Sequence, residues 1–451
     1  MDNINRFETE SIDSLIWKFS LPAIVGMVAN ASYNVVDRIF VGQGVGSLAI
    51  SAITITYPIS MLLLSFAMLI GIGAQAVTSL KLGEKQHKLA ERILGNSISL
   101  SVLTSLILST LIYLFLDRIL HFFGAENEIY YLAKSYLTII LVGIVFQISS
   151  FVLNGIIRAE GSPRIAMLTM LLGAASNIVL DPIFIFGLRM GIEGAAIATV
   201  LAQFISAAWV FGYFFGKKSL LKFKLSNLII NQKIIKSIFA IGSSPFLMHV
   251  ATSGIFILLN SSFLKYGGAT AVAALGIINS VVLFIMMPIF GLNQGIQPII
   301  GYNYGAKRFD RVEKLLFRGI FYATFICTLG FLLLLSFPTY VLKMFSSDDA
   351  NLLIIGRSGL RIFILSMPLI GFQIILGAYF QAVGKPLKAI ILTLTRQIIF
   401  IIPLVIILPK IFGLQGLWAY APISDLLAGV LATTFFISEL KVLRQKQLKY
   451  V

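Results

Sequence analysis

The sequence predicts an all-α, polytopic membrane protein with twelve transmembrane helices in two six-helix bundles. Three observations lead to this prediction. The 451 residues are 58% hydrophobic and only 12% charged, whereas soluble domains carry about 25% charged residues. Apolar segments long enough to cross a hydrocarbon core of ~30 Å recur along the whole chain. The Lys and Arg residues are concentrated in alternate loops between these segments.

Twelve apolar segments qualify as membrane spans. They lie at residues 14–41, 48–79, 92–116, 131–157, 164–187, 191–215, 236–265, 271–300, 313–336, 353–382, 387–411 and 414–438. The first 14 residues are mixed and acidic, so we expect no cleavable signal before the first span. The single cysteine, Cys327, lies inside the ninth span, and one cysteine excludes a disulfide within the chain.

The distribution of positive charge predicts the orientation. Of the 35 Lys and Arg residues, 25 lie in the loops after the even-numbered spans or near the two chain ends. Loops rich in Lys and Arg stay in the cytoplasm, so we expect a multi-pass protein of the inner (plasma) membrane with both termini cytoplasmic. This topology also accounts for the net charge of +16, and we therefore expect no nucleic-acid partner.

An internal repeat divides the chain into residues 1–225 and 226–451, each holding six spans. The basic link near 216–236 separates the halves. Because six is even, the halves run parallel and are related by a pseudo-two-fold axis along the membrane normal, an arrangement found in transporters that alternate access. At a shift of 222, identical residues pair as Gly73, Gln75, Gly83, Lys85, Glu91 and Leu94 with Gly295, Gln297, Gly305, Lys307, Glu313 and Leu316; residues 191–194 also match 413–416, and 158–163 match 381–386 at a shift of 223.

A polar stripe in the first span marks the candidate site. Asn30, Asn34 and Asp37 recur at helical spacing, with Tyr33 beside them. A carboxylate inside hydrocarbon costs about 2.5–3.5 kcal/mol on insertion scales, so it usually faces a cavity and marks a transport pathway. An interfacial pair between Asp37 and Arg38 is the structural alternative.

The fifth span supplies a second carboxylate at the same depth. Asp181 has Asn177 one turn deeper on the same face, and Thr199 and Tyr136 fall in the same band at ~1.5 Å per residue. Two carboxylates that interact titrate as a unit, and together with these neighbours they could form a proton or Na⁺ site. The deprotonated pair would attract an organic cation, so competition for one charge predicts antiport. A purely structural role for Asp181 stays open.

Other buried groups are weaker candidates. Met27 and Tyr33 suit the lining of a cavity for varied apolar cations, and Asn154 is a further candidate for the lining. In the second half, Asp425 and Arg396 form either a structural pair or a second functional site. His249 is more often a packing histidine than a functional one. Pro22 and Pro182 interrupt backbone hydrogen bonding in their spans and provide places to bend.

These motifs resemble the multidrug and toxic compound extrusion (MATE) family, and the resemblance covers nearly the whole chain. It rests on the sequence Asp-Arg-Ile-Phe-Val-Gly at 37–42, on the span ends from Gln75 to Gly83 and from Gln297 to Gly305, and on Asn177-x-x-x-Asp181. The family implies two six-helix bundles in a V that export organic cations, antibiotics and other xenobiotics among them, in exchange for H⁺ or Na⁺.

Similarity to DinF- and MepA-type members implies roles for individual residues. Asp37, Asn177, Asp181 and Thr199 would carry the coupling ion, as metal ligands if that ion is Na⁺. Tyr136 and Asn154 would line the cavity, with Met27, Asn30 and Tyr33 touching substrate. Some branches carry an acidic residue in the seventh span, but this chain has only uncharged polar groups and His249 there, which favours coupling in the N-terminal bundle.

Three other functions compete with drug antiport. A flippase of lipid-linked or polysaccharide precursors should line its cavity with buried basic residues, for which Arg396 is the main candidate. A major-facilitator transporter should carry Gly-x-x-x-Asp-Arg-x-Gly after span 2, where residues 82–86 read Leu-Gly-Glu-Lys-Gln. An enzyme is the weakest reading, because three His and one Cys assemble no nucleophile–base pair or metal cluster. We therefore expect a non-enzymatic monomer in the lipid bilayer, without a cofactor beyond its coupling ion.

Overall fold

The computed structural model describes residues 2–345 and 350–450, and every regular element in that part of the chain is helical. The N-terminal half contains α1 (Asp2–Thr9), α2 (Ile12–Gly44), α3 (Ser47–Gly83), α4 (His87–Leu114), α5 (Leu116–Phe122), α6 (Asn127–Ala159), α7 (Pro163–Pro182) and α8 (Gly191–Phe215). The C-terminal half contains α9 (Gln232–Gly305), α10 (Phe309–Ser336), α11 (Pro338–Lys343), α12 (Ala350–Phe363), α13 (Met367–Ala382), α14 (Pro386–Leu394) and α15 (Ile402–Tyr450). Segments Ile183–Gly187 and Thr395–Ile401 are π-helical, and Leu225–Leu228 is a short 3₁₀ helix.

The helices of the described residues account for twelve membrane spans, as predicted. Within the described residues, nine helices are long and apolar enough to cross a membrane, and a tenth span is formed by α12 and α13 together, bent by 51°. Two of the nine, Gln232–Gly305 and Pro386–Lys449, contain 74 and 64 residues, which at ~1.5 Å per residue is too long for one crossing. Non-helical backbone divides the first at Gly268 in α9 and the second at Gly413 in α15.

The repeat is visible in the backbone conformation. Positive φ angles, which favour glycine, recur at equivalent turns of the two halves. The pairs are Gly46 (106°) with Gly268 (70°), Lys85 (60°) with Lys307 (61°), Gly161 (92°) with Gly384 (72°), and Gly191 (60°) with Gly413 (58°). The first, second and fourth pairs are 222 residues apart and the third is 223 apart. The turns between spans are therefore built alike in both halves.

The two halves pack tightly at the end that carries the N-terminus and the linker. Gly83 at the end of α3 lies against the carbonyl of Tyr302, and Gly305 at the end of α9 lies against the carbonyl of Leu80. A Cβ at these positions would lie 2.0 and 2.2 Å from those oxygens. The two contacts are equivalent under the internal repeat, because Leu80 and Tyr302, like Gly83 and Gly305, are 222 residues apart.

Polar contacts reinforce this closure. Gln75 donates to Gln297 (3.2 Å), which donates to Gln381 (3.1 Å), so a glutamine chain crosses from α3 to α9 and α13. At the chain start, the Tyr302 hydroxyl donates to Glu8 (2.8 Å), and the Tyr322 hydroxyl donates to Asp13 (2.9 Å). The structure is therefore closed between the halves at this end.

The linker between the halves is anchored rather than free. The buried Asn96 side chain donates to the carbonyls of Asn227 and Ile229, both at 3.1 Å, and accepts from the Asn231 amide at 2.6 Å. Glu160 accepts hydrogen bonds from residues 219–221 at 3.0 to 3.2 Å. The predicted boundary between residues 225 and 226 falls inside this anchored segment.

Candidate functional site

The carboxyl groups of Asp37 in α2 and Asp181 in α7 face each other within hydrogen-bonding reach. Asp181 is fully buried and Asp37 is partly buried. Two carboxylates cannot donate to one another, so this contact becomes a hydrogen bond only when one of them holds a proton. The geometry of the pair thus allows one proton to lie between the two carboxyl groups.

Asn177 and Thr199 complete the cluster. The Asn177 amide donates to Asp181 Oδ1 at 3.3 Å and to Thr199 Oγ1 at 3.4 Å, which joins α7 to α8. Three buried oxygens in this group, one each from Asp37, Asn177 and Asp181, accept no hydrogen bond from the described part of the chain. Buried polar atoms are normally paired, and hard oxygen acceptors suit a proton or Na⁺.

The backbone around Pro182 brings the two carboxyls together. Proline cannot donate to the carbonyl four residues earlier, and α7 gives way at Pro182 to the π-helical segment Ile183–Gly187. That segment lies directly against α2, because a Cβ on Gly44 would sit 2.3 Å from Ile185 Cγ2. π-Helical turns occur frequently at functional sites, and here one sets the approach of α7 to the end of α2.

Two phenols surround the carboxyl pair. Tyr33 of α2 and Tyr136 of α6 are partly buried and lie close enough to Asp37 and Asp181 to interact with both electrostatically. Next to Tyr33, the exposed Asn34 donates to the backbone carbonyl of Asn30, one turn earlier, at 2.7 Å. Of the residues in the predicted stripe, Asn30 and Asn34 are exposed, whereas Tyr33 and Asp37 are partly buried.

Met27 and Asn154 occupy different surroundings. The Met27 sulfur accepts from Gln294 of α9 at 3.4 Å, so Met27 faces the C-terminal half. The Asn154 amide donates to the Ala166 carbonyl at 2.8 Å, and its oxygen accepts from Arg158. The structure thus places Asn154 in a buried α6–α7 contact and does not bring it to the carboxyl pair.

The second half holds a separate polar cluster. Asp425 of α15 accepts from Arg396 Nε at 2.5 Å and from Ser366 Oγ at 2.6 Å, and Gln373 donates to its backbone carbonyl at 2.8 Å. The pairing of Asp425 with Arg396 was expected from the sequence, but Ser366 and Gln373 were not. Ser366 lies at the break between α12 and α13, and Pro368 in the first turn of α13 was the sequence signal for that break.

His249 lies partly buried in α9, with its backbone carbonyl bonded to Ser253 Oγ at 3.0 Å. In the described residues, no group of three or more His, Cys, Asp or Glu side chains could hold a metal ion. Any Na⁺ at the N-terminal cluster would therefore depend on the amide and hydroxyl oxygens of Asn177 and Thr199 as well as on the two carboxylates.

Comparison with known proteins decides the family. The MatE family model matches residues 22–183 and again residues 245–407, once in each half. The chain belongs to the MatE family. The resemblance inferred from the motifs is thus confirmed, and the chain is a multi-pass membrane transporter rather than an enzyme.

Relatives and solved structures agree with this membership. The chain is 31% identical over 414 residues to the multidrug export protein MepA of Staphylococcus haemolyticus (strain JCSC1435), covering 92% of this chain and 91% of that protein. It is 28% identical over 421 residues to MepA of Staphylococcus aureus (strain MRSA252), covering 93% and 92%. A solved MATE transporter of the MOP superfamily, described as multidrug resistance and outward-facing, superposes with a TM-score of 0.91 at 26% identity, covering 98% of both chains.

Proposed function

We propose that this MatE transporter exports small organic cations, multiple drugs among them, in exchange for protons that bind the Asp37–Asp181 pair. The observation that carries the proposal is the direct contact of the buried Asp181 carboxyl group with the partly buried Asp37 carboxyl group. Like charges at this separation do not both ionise readily, so the pair holds one proton until a competing positive charge replaces it. The MepA relatives named above are multidrug export proteins, which supports drugs as the substrate class.

Proton and substrate compete for one site in this mechanism. With the linker end closed between the halves, a cation bound near the pair is displaced when a proton arrives from the open side. The proton-loaded transporter then rocks to the other state and releases the proton there. Rocking of two parallel halves about a site within one of them is the alternating access expected of such repeats.

The arrangement favours a proton over Na⁺ as the coupling ion. The carboxyl–carboxyl contact needs a proton to become a hydrogen bond, whereas a sodium ion needs several oxygens converging on one point. The flippase alternative gains no support, because Arg396, the expected phosphate ligand, is engaged by Asp425. We also propose that both termini are cytoplasmic and that one chain suffices for transport.

Ethidium transport by purified protein in liposomes tests the proposal. An imposed pH gradient without Na⁺ should drive ethidium movement, and an Na⁺ gradient at constant pH should not. Asp37→Asn and Asp181→Asn should each abolish the pH-driven movement. Asp117→Asn, on an exposed loop helix, is the matched control and should transport at the parental rate. Parental transport by both site variants would refute the proton site, and Na⁺-driven transport would replace H⁺ by Na⁺.

A further inference from the structure

A groove lies between α2 and α7 at the end of the molecule that carries the linker. Its cavity volume is about 910 Å³, within the ~300–1,000 Å³ typical of ligand pockets. Chain segments from α1, α2, the turn before α7 and the end of α8 line it. The groove is separate from the Asp37–Asp181 cluster, which lies near the other end of the same two helices.

The mouth of the groove is basic. Among the residues that the structure describes, four cationic side chains and one acidic side chain line it. The acidic residue, Glu10, forms an ion pair with Lys18 at 2.8 Å and lies 3.8 Å from Arg6. The remaining two, Arg164 and Lys218, are exposed and form no ion pair within residues 2–345 and 350–450. The mouth therefore has an unbalanced positive charge provided by two free side chains from different elements.

Apolar side chains of α2, Trp17 and Leu21 among them, also line the groove, and exposed apolar residues of α2 and α7 continue beyond it. On α2, the exposed side chains Trp17, Leu21 and Val25 follow at intervals of four residues and so share one face, with exposures of 41%, 56% and 41%. On α7, the exposed Leu168 lies one turn beyond Arg164. Trp side chains concentrate at membrane–water interfaces, which places the mouth of the groove at headgroup level.

Close helix packing ends the groove. A Cβ on Gly26 of α2 would lie 2.7 Å from Met170 Sδ of α7, so the two helices touch at that level. Beyond its positively charged mouth, the groove thus continues into exposed apolar surface at Leu21, and α2 and α7 touch again at Gly26.

We propose that this groove binds an anionic phospholipid, with its phosphate between Arg164 and Lys218 and one acyl chain along the Trp17–Leu21–Val25 face. Charge complementarity selects an anionic headgroup, and the exposed apolar walls select a lipid over a free anion. Basic pockets between transmembrane helices are known to hold anionic headgroups in this manner. The proposal is independent of the transported substrate.

Trp17 provides a direct reporter, because only three tryptophans are present. In a Trp209→Phe background, Trp418 is buried and Trp17 is the exposed tryptophan. Full-length protein is placed in phosphatidylcholine nanodiscs and titrated with brominated phosphatidylglycerol, and quenching of tryptophan emission is measured. We expect saturable quenching by brominated phosphatidylglycerol, and much weaker quenching by the same fraction of brominated phosphatidylcholine.

Variants separate the groove from general surface charge. Replacing Arg164 and Lys218 together by Gln should weaken the preference for phosphatidylglycerol by about fivefold for each charge removed. The charge-matched control replaces Lys233 and Lys236, exposed residues in the first turns of α9, and should retain the parental preference. The charge-preserving variant Arg164→Lys with Lys218→Arg should also retain it, which separates loss of charge from loss of folding.

Two outcomes overturn the proposal. Equal weakening by the Lys233/Lys236 control shows a general attraction of the surface for anionic lipid rather than a site. Relief of the quenching by millimolar inorganic phosphate, to the same extent as by unlabelled phosphatidylglycerol, shows a free-anion site without a role for the apolar walls.

Discussion

The paired glycine contacts at the closed end give a sharp prediction for the conformational equilibrium. Gly305→Ala places a methyl group 2.2 Å from the Leu80 carbonyl oxygen, whereas real Cβ atoms essentially never approach closer than 3.0 Å. The obstructing atom belongs to backbone, so α3 and α9 must move apart. Gly83→Ala repeats the clash at 2.0 Å from the Tyr302 oxygen.

The cost falls on the closed state alone. Overpacking of this kind costs about 1–3 kcal/mol, and the clash disappears when the halves separate at this end. Each substitution should therefore shift the equilibrium toward the state open at the linker end by about 5- to 150-fold. Combining the two substitutions should shift it further, but by less than the product, because one separation relieves both contacts.

Distances between two spin labels, one on each half at the linker end, measure this equilibrium. Cys327 is the single native cysteine and is buried, so a Cys327→Ser background leaves only the labels. Gly276→Ala and Gly377→Ala are matched controls, since both lie in helices where an added Cβ meets nothing within 4 Å. A distance distribution for Gly305→Ala identical to that of the controls would refute the packing argument.

Three further predictions concern stability. Burial raises the pKa of Glu160 from 4.5 to about 7, so between these pH values the folded chain keeps a proton that the unfolded chain has lost. The free energy of unfolding should therefore fall as the pH rises from 4.5 to 7, by on the order of 3 kcal/mol. Thermal melts of Glu160→Gln should show a weaker dependence on pH. Asp425→Asn should lower the free energy of unfolding by about 3 kcal/mol, the lower end for a broken buried ion pair, because Arg396 is 30% exposed. Adding Arg396→Met to this variant should recover most of the lost stability. Asn96→Ala leaves the Asn231 amide without its acceptor and should lower stability by about 1–3 kcal/mol, with faster proteolysis of the linker than in the parent; an unchanged melt or cleavage rate would contradict each account in turn.

The span count and the orientation of the halves follow from properties that sequence records directly. Apolar length fixes how many times the chain can cross, and an even number per half fixes parallel halves. The repeat also located the turns, since Gly191 and Gly413, matched at a shift of 222, both adopt positive φ near 60°.

Part of the candidate site could be predicted from the sequence. Helical spacing places Asn177 one turn from Asp181, and the 3.3 Å contact between them follows from that spacing. The approach of α2 to α7 did not follow, because it depends on the π-helical segment after Pro182 and on the absence of a side chain at Gly44. Such tertiary contacts leave no periodic signal.

For Asn154, the sequence suggested a place in the cavity that the structure does not give it. Its depth in the span suggested a cavity residue, yet its amide is occupied by Arg158, four residues along the same helix, and by the Ala166 carbonyl. The spacing to Arg158 was readable as a local pair. Polar residues inside a span therefore need their nearest helical partners considered before a role in the cavity is assigned.

The central claim is that one proton on the Asp37–Asp181 pair is displaced by a cationic substrate. Proton release on ethidium binding tests this most directly, measured with a pH indicator in weakly buffered detergent solution. The parent protein should release a proton as ethidium binds, and the release should saturate with occupancy. Asp37→Asn and Asp181→Asn should release none. Saturable binding of ethidium to the parent without any proton release would contradict the account.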